Sequence, residues 1–339
     1  MNTTPPKLRV VSGMRPTGHL HIGHFHGALK NWLALADQHE CFYFSADWHA
    51  LTTNYHDPGE VKAAEREMFA DWLAIGLDPG KVVLFVQSDV KQHAELALLF
   101  GMITPIPWLE RVPTYKEQQQ QLTDKDLSNV GFLSYPVLQT ADVAVYKANA
   151  VPVGQDQVAH LELSREIIRR FNFLYGKLDG QPVLPEPKPL LTEIPKILGL
   201  DGRKMSKSYN NAIMLGEEEA STRKKILGAV TDPQRVRRHD PGNPEVCPIF
   251  YLHKAYSPPE TVQMVDRECR SAGIGCVDCK KTLLVSLLPS LEKHRQARAE
   301  IDRTPERIDD VMADGAARAR AVAEPVMQEV REAMKLSRK

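Results

Sequence analysis

The feature that most constrains this chain is an alternation. From Leu8 to about Leu174, short strand-like runs and longer helix-like runs take turns. Strand candidates are Arg9 to Ser12, Cys41 to Asp47, Val82 to Gln87 and Ala150 to Val153. Helix candidates follow each one: from about His21, with apolar residues at helical spacing between Ile22 and Leu35, then Gly59 to Ile75, Gln92 to Phe100 and Val158 to Phe171. This order predicts an α/β fold, a doubly wound parallel sheet with helices on both faces. Ligands of such sheets bind beyond the carboxyl ends of the strands.

The proline-rich text "GQPVLPEPKPLL" breaks the alternation and reads as a loop. After Glu217 the periodicity is helical, so the last third predicts a C-terminal α-helical domain. The expected division is residues 1–200 for the sheet domain, 201–215 for a polar loop and 216–339 for the helices, the last of which could pack back on the sheet domain. No apolar run is long enough to span a bilayer, and "MNTTPPKLRV" lacks the apolar core of a signal peptide. A cytoplasmic protein without membrane contact is expected. The formal net charge is zero, which leaves nucleic-acid binding open. The basic run from Thr222 to Arg238 is either a solvated face or a local patch for phosphates.

The first strand-to-helix corner reads "SGMRPTGHLHIGH", Ser12 to His24. His21 and His24 are three apart, so both fall on one face in a helix's first turn. Free backbone N–H groups and the positive dipole end lie there too. Gly18 suits a tight turn, and Gly23 lets a ligand approach the backbone. The corner suits phosphate oxygens, and equally a structural or metal-binding set of histidines. Far downstream, "DGRKMSKSYNN" places Lys204 and Lys207 three apart, with the hydroxyls of Ser206 and Ser208. Such a basic loop either closes over a phosphate chain or is merely exposed.

Two further segments carry chemistry. In "YPVLQTADVAVY", Pro136 suits the first turn of a helix, and Tyr135, Gln139 and Asp142 then share one face. A carboxylate on an apolar wall needs a partner. Asp142 is either the acceptor for a donor group on a ligand or a surface or capping acid. "AVPVGQDQ" supplies a strand, a glycine turn and polar side chains at a helix start, where Asp156 could also be an N-cap. Five cysteines occur. Cys41 stands alone in a strand-like run, whereas Cys247, Cys269, Cys276 and Cys279 crowd together. In a reducing compartment that crowding points to a metal site, either an iron–sulfur cluster or Zn²⁺.

Taken together and in this order, HIGH and KMSKS resemble the signatures of class I aminoacyl-tRNA synthetases. The segments "SGMRPTGHLHIGH", "FSADWHALTT", "SYPVLQTADVAVYKA" and "VPVGQDQVAHLELSREIIRRFN" narrow the resemblance to the tryptophanyl-tRNA synthetase family, over nearly the whole chain. The resemblance implies a Rossmann-type catalytic domain that activates L-tryptophan with ATP and Mg²⁺ and charges tRNA(Trp), in a homodimer. It implies catalytic roles for His21, His24, Lys204 and Lys207. It implies an ATP site of Arg15, Pro16, Thr17, Gly23, His24, Gly154, Gln155, Asp156, Ile197 and Lys204 to Ser208 (including Met205). For tryptophan it implies Asp142, Tyr135, Gln139, Gln157 and the walls Val151 and Val153. The family commonly has Gln where this chain has Arg15. Some members carry four such cysteines on a [4Fe–4S] cluster in the helical domain. Competing readings are a tyrosyl-tRNA synthetase, a small-molecule nucleotidyltransferase, or an iron–sulfur RNA-binding protein without ligase activity.

Overall fold

The computed structural model describes residues 7–111, 128–154, 157–176, 180–191 and 197–337. Five parallel strands form the sheet: β1 (Arg9–Met14), β2 (Glu40–Ser45), β3 (Val83–Val86), β4 (Ala150–Val153) and β5 (Lys188–Leu191), in the order β3-β2-β1-β4-β5. Alternate residues along each strand face opposite sides. Val10, Tyr43 and Leu84 therefore enter one core while Val11, Phe42 and Val83 enter the other.

The helices that cover these faces begin with α1 (Ile22–His24), which passes through a π-type turn (Phe25–Leu29) into α2 (Lys30–Ala36). Then come α3 (Asp47–Asn54), α4 (Pro58–Ala74), α5 (Gln92–Gly101), α6 (Ile106–Glu110), α7 (Val130–Ala144) and α8 (Val158–Tyr175). The remainder is helical: α9 (Glu219–Gly228), α10 (Pro248–Tyr256), α11 (Pro259–Arg270), α12 (Cys276–Arg303) and α13 (Glu306–Ala333). Helix α12 packs against α4, α9 and α10. Helix α13 returns to the sheet and lies on β3, so tightly that a Cβ at Gly315 would sit 1.7 Å from Leu84 O. Among the described residues no helix is long and apolar enough to cross a membrane.

Four expectations are corrected. The proline-rich segment contains β5; Pro189 is tolerated because β5 is an edge strand, where a missing N–H faces no neighbour. Pro136 does not open α7 but lies inside it. The true start is Asn129, whose side chain accepts from Phe132 N at 2.9 Å, and the carbonyl of Pro136 is taken by Thr140 Oγ1 at 2.8 Å. Asp47 belongs to α3 rather than β2. The helix expected to run unbroken from Ile22 to Leu35 is interrupted by the π-type turn, directly behind the two histidines, and such turns often mark functional sites.

Candidate active site

The switch point of the sheet lies between β1 and β4, whose neighbours run off in opposite directions. A cavity of about 440 Å³ opens there, lined by Val11 to Gly13 of β1 and Val151 to Val153 of β4. Tyr135, Gln139 and Asp142 of α7 share its wall with Arg15, His49, Gly154 and Gln157. A second cavity of about 710 Å³ is lined by Pro16, Thr17, His21, His24 and Lys204 to Ser208. The two meet at the first corner, where Arg15 borders one and Pro16 the other.

The corner is built by reciprocal capping. His21 Nδ1 accepts from His24 N and His24 Nδ1 accepts from His21 N, each at 3.3 Å. The rings stack at 3.6 Å. With Nδ1 accepting, the proton of a neutral ring sits on Nε2, which is left to donate. Burial, helped by the Lys207 charge, depresses His21 to about 4; burial, His21 and Lys207 depress His24 to about 3. Both rings are thus neutral donors at pH 7. Gly23 is required beside them, because a Cβ there would lie 2.9 Å from the His21 ring. Gly18 has φ +76°, a left-handed turn position.

The downstream loop is tied to this corner. Ile22 N donates to Ile213 O at 3.0 Å and Leu215 N to Leu20 O at 2.8 Å. Lys207 Nζ donates to His19 O at 3.2 Å. Buried Asn211 shapes the loop from inside: its Nδ2 donates to Asp201 Oδ1 at 2.7 Å and Lys204 O at 3.0 Å, and its Oδ1 accepts from Ser206 N at 2.8 Å. Gly199 makes room for it, since a Cβ would lie 2.1 Å from Asn211 Nδ2.

Asp142 is 3% exposed and lies among donors. Oδ2 accepts from His49 Nε2 at 2.7 Å; Oδ1 accepts from His93 Nδ1 at 2.7 Å and Gln87 Nε2 at 2.6 Å. His93 Nε2 in turn meets Tyr146 Oη at 2.7 Å. Burial pushes the acid up, but His49 and His93 outweigh it and hold it at about 2. The group is a carboxylate throughout the neutral range. His49, Gln87, His93 and Tyr146 escaped the sequence reading; the only signal was that His49 and Tyr146 stand in two of the family-like segments.

Arg15 departs from expectation. It borders the switch-point cavity rather than the histidine–lysine cavity, and its guanidinium donates to Thr53 Oγ1 and to Ala50 O at 3.4 Å. Ile197, expected near ATP, packs on the core and lines neither cavity. Gln155 and Asp156 lie outside the described residues. The four crowded cysteines, all unpaired, line one small apolar cavity with Asp232, Arg235 and Ile274. Among the described residues no three His, Cys, Asp or Glu side chains close on a point fit for a single ion. Arg235 Nη1 approaches Cys269 Sγ at 3.9 Å, and burial and the neighbouring thiols push Cys279 up to about 12.

Comparison with known proteins places the chain in a family. Residues 3–288 match the family described as tRNA synthetases class I (W and Y). The chain belongs to that family of class I synthetases, whose parallel sheet and C-terminal helices it shares. The tryptophan–tRNA ligase of Thermotoga maritima is 54% identical, over 97% of this chain and 99% of its own length; that of Aquifex aeolicus is 44% identical, over 97% and 100%. A tryptophanyl-tRNA synthetase of Campylobacter jejuni, solved with ADP and tryptophan, aligns with TM-score 0.84 at 31% identity, covering 97% of this chain and 100% of that one. Within the family, the chain is a tryptophan–tRNA ligase.

Proposed function

We propose that the two cavities hold tryptophan and ATP side by side and carry out the two steps of tRNA(Trp) charging. Tryptophan occupies the switch-point cavity, its indole N–H donating to Asp142, its ring between Val151 and Val153, its amino group near Tyr135 and Gln157. ATP enters the adjoining cavity with Mg²⁺, its phosphates at the His21–His24 corner and under the Lys204–Lys207 loop. A carboxylate oxygen of tryptophan attacks the α-phosphorus; that O–P bond forms, the bond to the bridging oxygen breaks, and pyrophosphate leaves. Neutral Nε2–H donors and mobile ammonium groups stabilise charge that develops on phosphate, so alignment and electrostatics do most of the catalysis. The 2′-hydroxyl of the tRNA's terminal adenosine then attacks the acyl carbon and AMP leaves. Arg15 supplies a fixed cation on the tryptophan side, where the carboxylate becomes an acyl phosphate.

The observation that carries this reading is convergence: Lys207 Nζ lies 3.2 Å from His19 O, although 188 positions separate the residues. The test is ATP–pyrophosphate exchange across the twenty amino acids. Exchange that depends on tryptophan is expected; exchange with tyrosine and none with tryptophan overturns the assignment.

We infer further that Cys247, Cys269, Cys276 and Cys279 hold a [4Fe–4S] cluster, which when bound would pin the end of α11 and the loop before α10 to the start of α12. Four sulfurs around one cavity support this, as does the Arg235 cation beside Cys269. An all-thiolate donor set is the ligand chemistry of such a cluster. Iron and acid-labile sulfide at about four per chain are expected after anaerobic purification; stoichiometric zinc in a colourless sample overturns it. Of the basic run, Lys224, Arg237 and Arg238 have no ion-pair partner among the described residues, in keeping with tRNA phosphates as their partners. Exposed Leu98 of α5, Met102 at its end, Ile106 of α6 and Val130 of α7, where α5 and α6 both pack on α7, support a homodimer.

A further inference from the structure

One buried carboxylate lies beneath the nucleotide cavity and belongs to none of the motifs. Asp71 of α4 is 2% exposed. Its Oδ2 accepts from Leu20 N at 2.7 Å, the backbone group directly before His21. Its Oδ1 accepts from Arg298 Nη1 at 2.7 Å and His294 Nε2 at 3.3 Å, both on α12. Arg298 also bonds Glu67, which lines the nucleotide cavity and meets His19 Nδ1 at 3.2 Å, and Asp302 at 2.9 Å. His19 is the residue whose carbonyl receives Lys207. The backbone on either side of Leu20 is therefore held from below by α4 and α12.

We propose that Asp71, Arg298 and His294 form a positioning unit for ATP: the carboxylate fixes the backbone entering the His21–His24 corner, and Arg298 cancels its negative charge below the phosphate site. The inference rests on the reading of that corner as the nucleotide site. Two opposing demands explain the arrangement. A carboxylate is a strong acceptor for the backbone N–H of Leu20, which lies one residue before the helix cap His21. The same carboxylate repels a polyphosphate nearby, and its field reaches both His24 and Lys207. Arg298 of α12 resolves the conflict without displacing the bond to Leu20: Nη1 meets Asp71 Oδ1, while its other nitrogens meet Glu67 and Asp302. Although burial pushes Asp71 up, His294, Leu20 and Arg298 together hold it below the usual carboxylate range, so the negative charge persists and needs its counter-ion. The same helix begins at Cys276 and Cys279 and runs for 28 residues, about 42 Å at 1.5 Å per residue, so it joins the four-cysteine cavity to the underside of the ATP corner.

The test compares Arg298→Met, Arg298→Lys and the double variant Asp71→Asn/Arg298→Met with the parent chain. It reads ATP KM and kcat in pyrophosphate exchange, and tryptophan affinity by equilibrium dialysis without ATP. Arg298→Met uncovers the carboxylate, so ATP KM should rise about tenfold or more while tryptophan affinity stays within about twofold, the fold-changes following from loss of a buried charge partner. Arg298→Lys should recover most of that loss, and the double variant should bind ATP at least about threefold better than Arg298→Met, since it removes both charges. The proposal is overturned if Arg298→Met keeps the parent's ATP KM, if the double variant is no better than the single, or if tryptophan affinity falls in step with ATP. Absence of exchange in the parent chain would instead remove the underlying reading. If Arg298→Met does not fold, Arg298→Gln takes its place by the same criterion, ATP KM rising with tryptophan affinity unchanged.

Discussion

Replacing Asp142 by Asn tests the tryptophan pocket with the least collateral damage, and the structure shows why. The carboxylate has about four acceptor sites. Gln87 and His93 take two on Oδ1 and His49 takes one on Oδ2, leaving one on Oδ2 for a further donor. Asparagine keeps the shape but turns one oxygen into a donor. The neighbours can adapt. Gln87 Oε1 is buried and has no hydrogen-bond partner among the described residues, so a flip of that amide would let it accept from the new N–H₂. His93 can exchange tautomers and donate to Tyr146 from Nε2 instead. The fold should survive with a loss of about 1–3 kcal/mol, the range for disturbing hydrogen bonds to a buried charge. The indole N–H, however, loses a charged acceptor. Such a bond is worth roughly 1.5–3 kcal/mol, hence about a 10- to 150-fold rise in tryptophan KM. Pyrophosphate exchange at saturating ATP measures that directly, and ATP KM should move less than about threefold because Asp142 lines only the switch-point cavity. An Asp142→Asn enzyme with normal tryptophan KM and a weakened ATP KM would refute the assignment.

Two further outcomes follow from packing and charge. Gly315→Ala drives a methyl into the backbone carbonyl of Leu84, which no rotamer change can relieve, so urea denaturation should show a loss of about 3 kcal/mol, the upper end for overpacking; Gly101→Ala, with open space around it, should stay within about 1 kcal/mol. Glu65 is buried beside Ser45 and raised to about 7 by burial and by Asp47. Its folded pKa lies above its unfolded one, so its contribution is complete below about 4.5 and lost as pH rises through 7; Glu65→Gln should remove that loss, about 3 kcal/mol by pH 8 from the size of the shift, and a mutant whose stability declines over pH 5–8 as steeply as the parent's would exclude this cause.

The sheet was legible because its strands are short apolar runs set between helical ones, a pattern that survives without any knowledge of contacts. The edge strand β5 was not, because Lys188–Leu191 sits among prolines that ordinarily argue against a strand, and only its place at the sheet's margin makes them harmless. The start of α7 was misplaced for a related reason. Proline reads as a boundary, yet Pro136 lies mid-helix with its carbonyl satisfied by Thr140 and its ring buried. Residues proposed to face a ligand announced themselves by chemistry out of place: an acid on an apolar wall, histidines and lysines beside glycines. Residues that support them did not, because His93, Gln87 and Asp71 look like ordinary polar positions on amphipathic or strand-end segments.

This difference explains which part of the site a single sequence can reveal. A group that meets substrate must be a particular type at a particular corner, so short-range pattern records it. A group that holds another in place needs only to arrive from somewhere, and its identity depends on what it meets. Arg298 reaches Asp71 across 227 positions, and Asn211 shapes the lysine loop only because Gly199 vacates the space its amide fills. The C-terminal helices therefore complete the sheet domain. Helix α13 covers the sheet at β3, and α12 supplies the counter-charge to Asp71 behind the His21–His24 corner. On this view the sheet domain is incomplete without the chain's last third: replacing Arg298 alone would leave Asp71 buried without that cation, a cost of several kcal/mol for an unpaired buried charge.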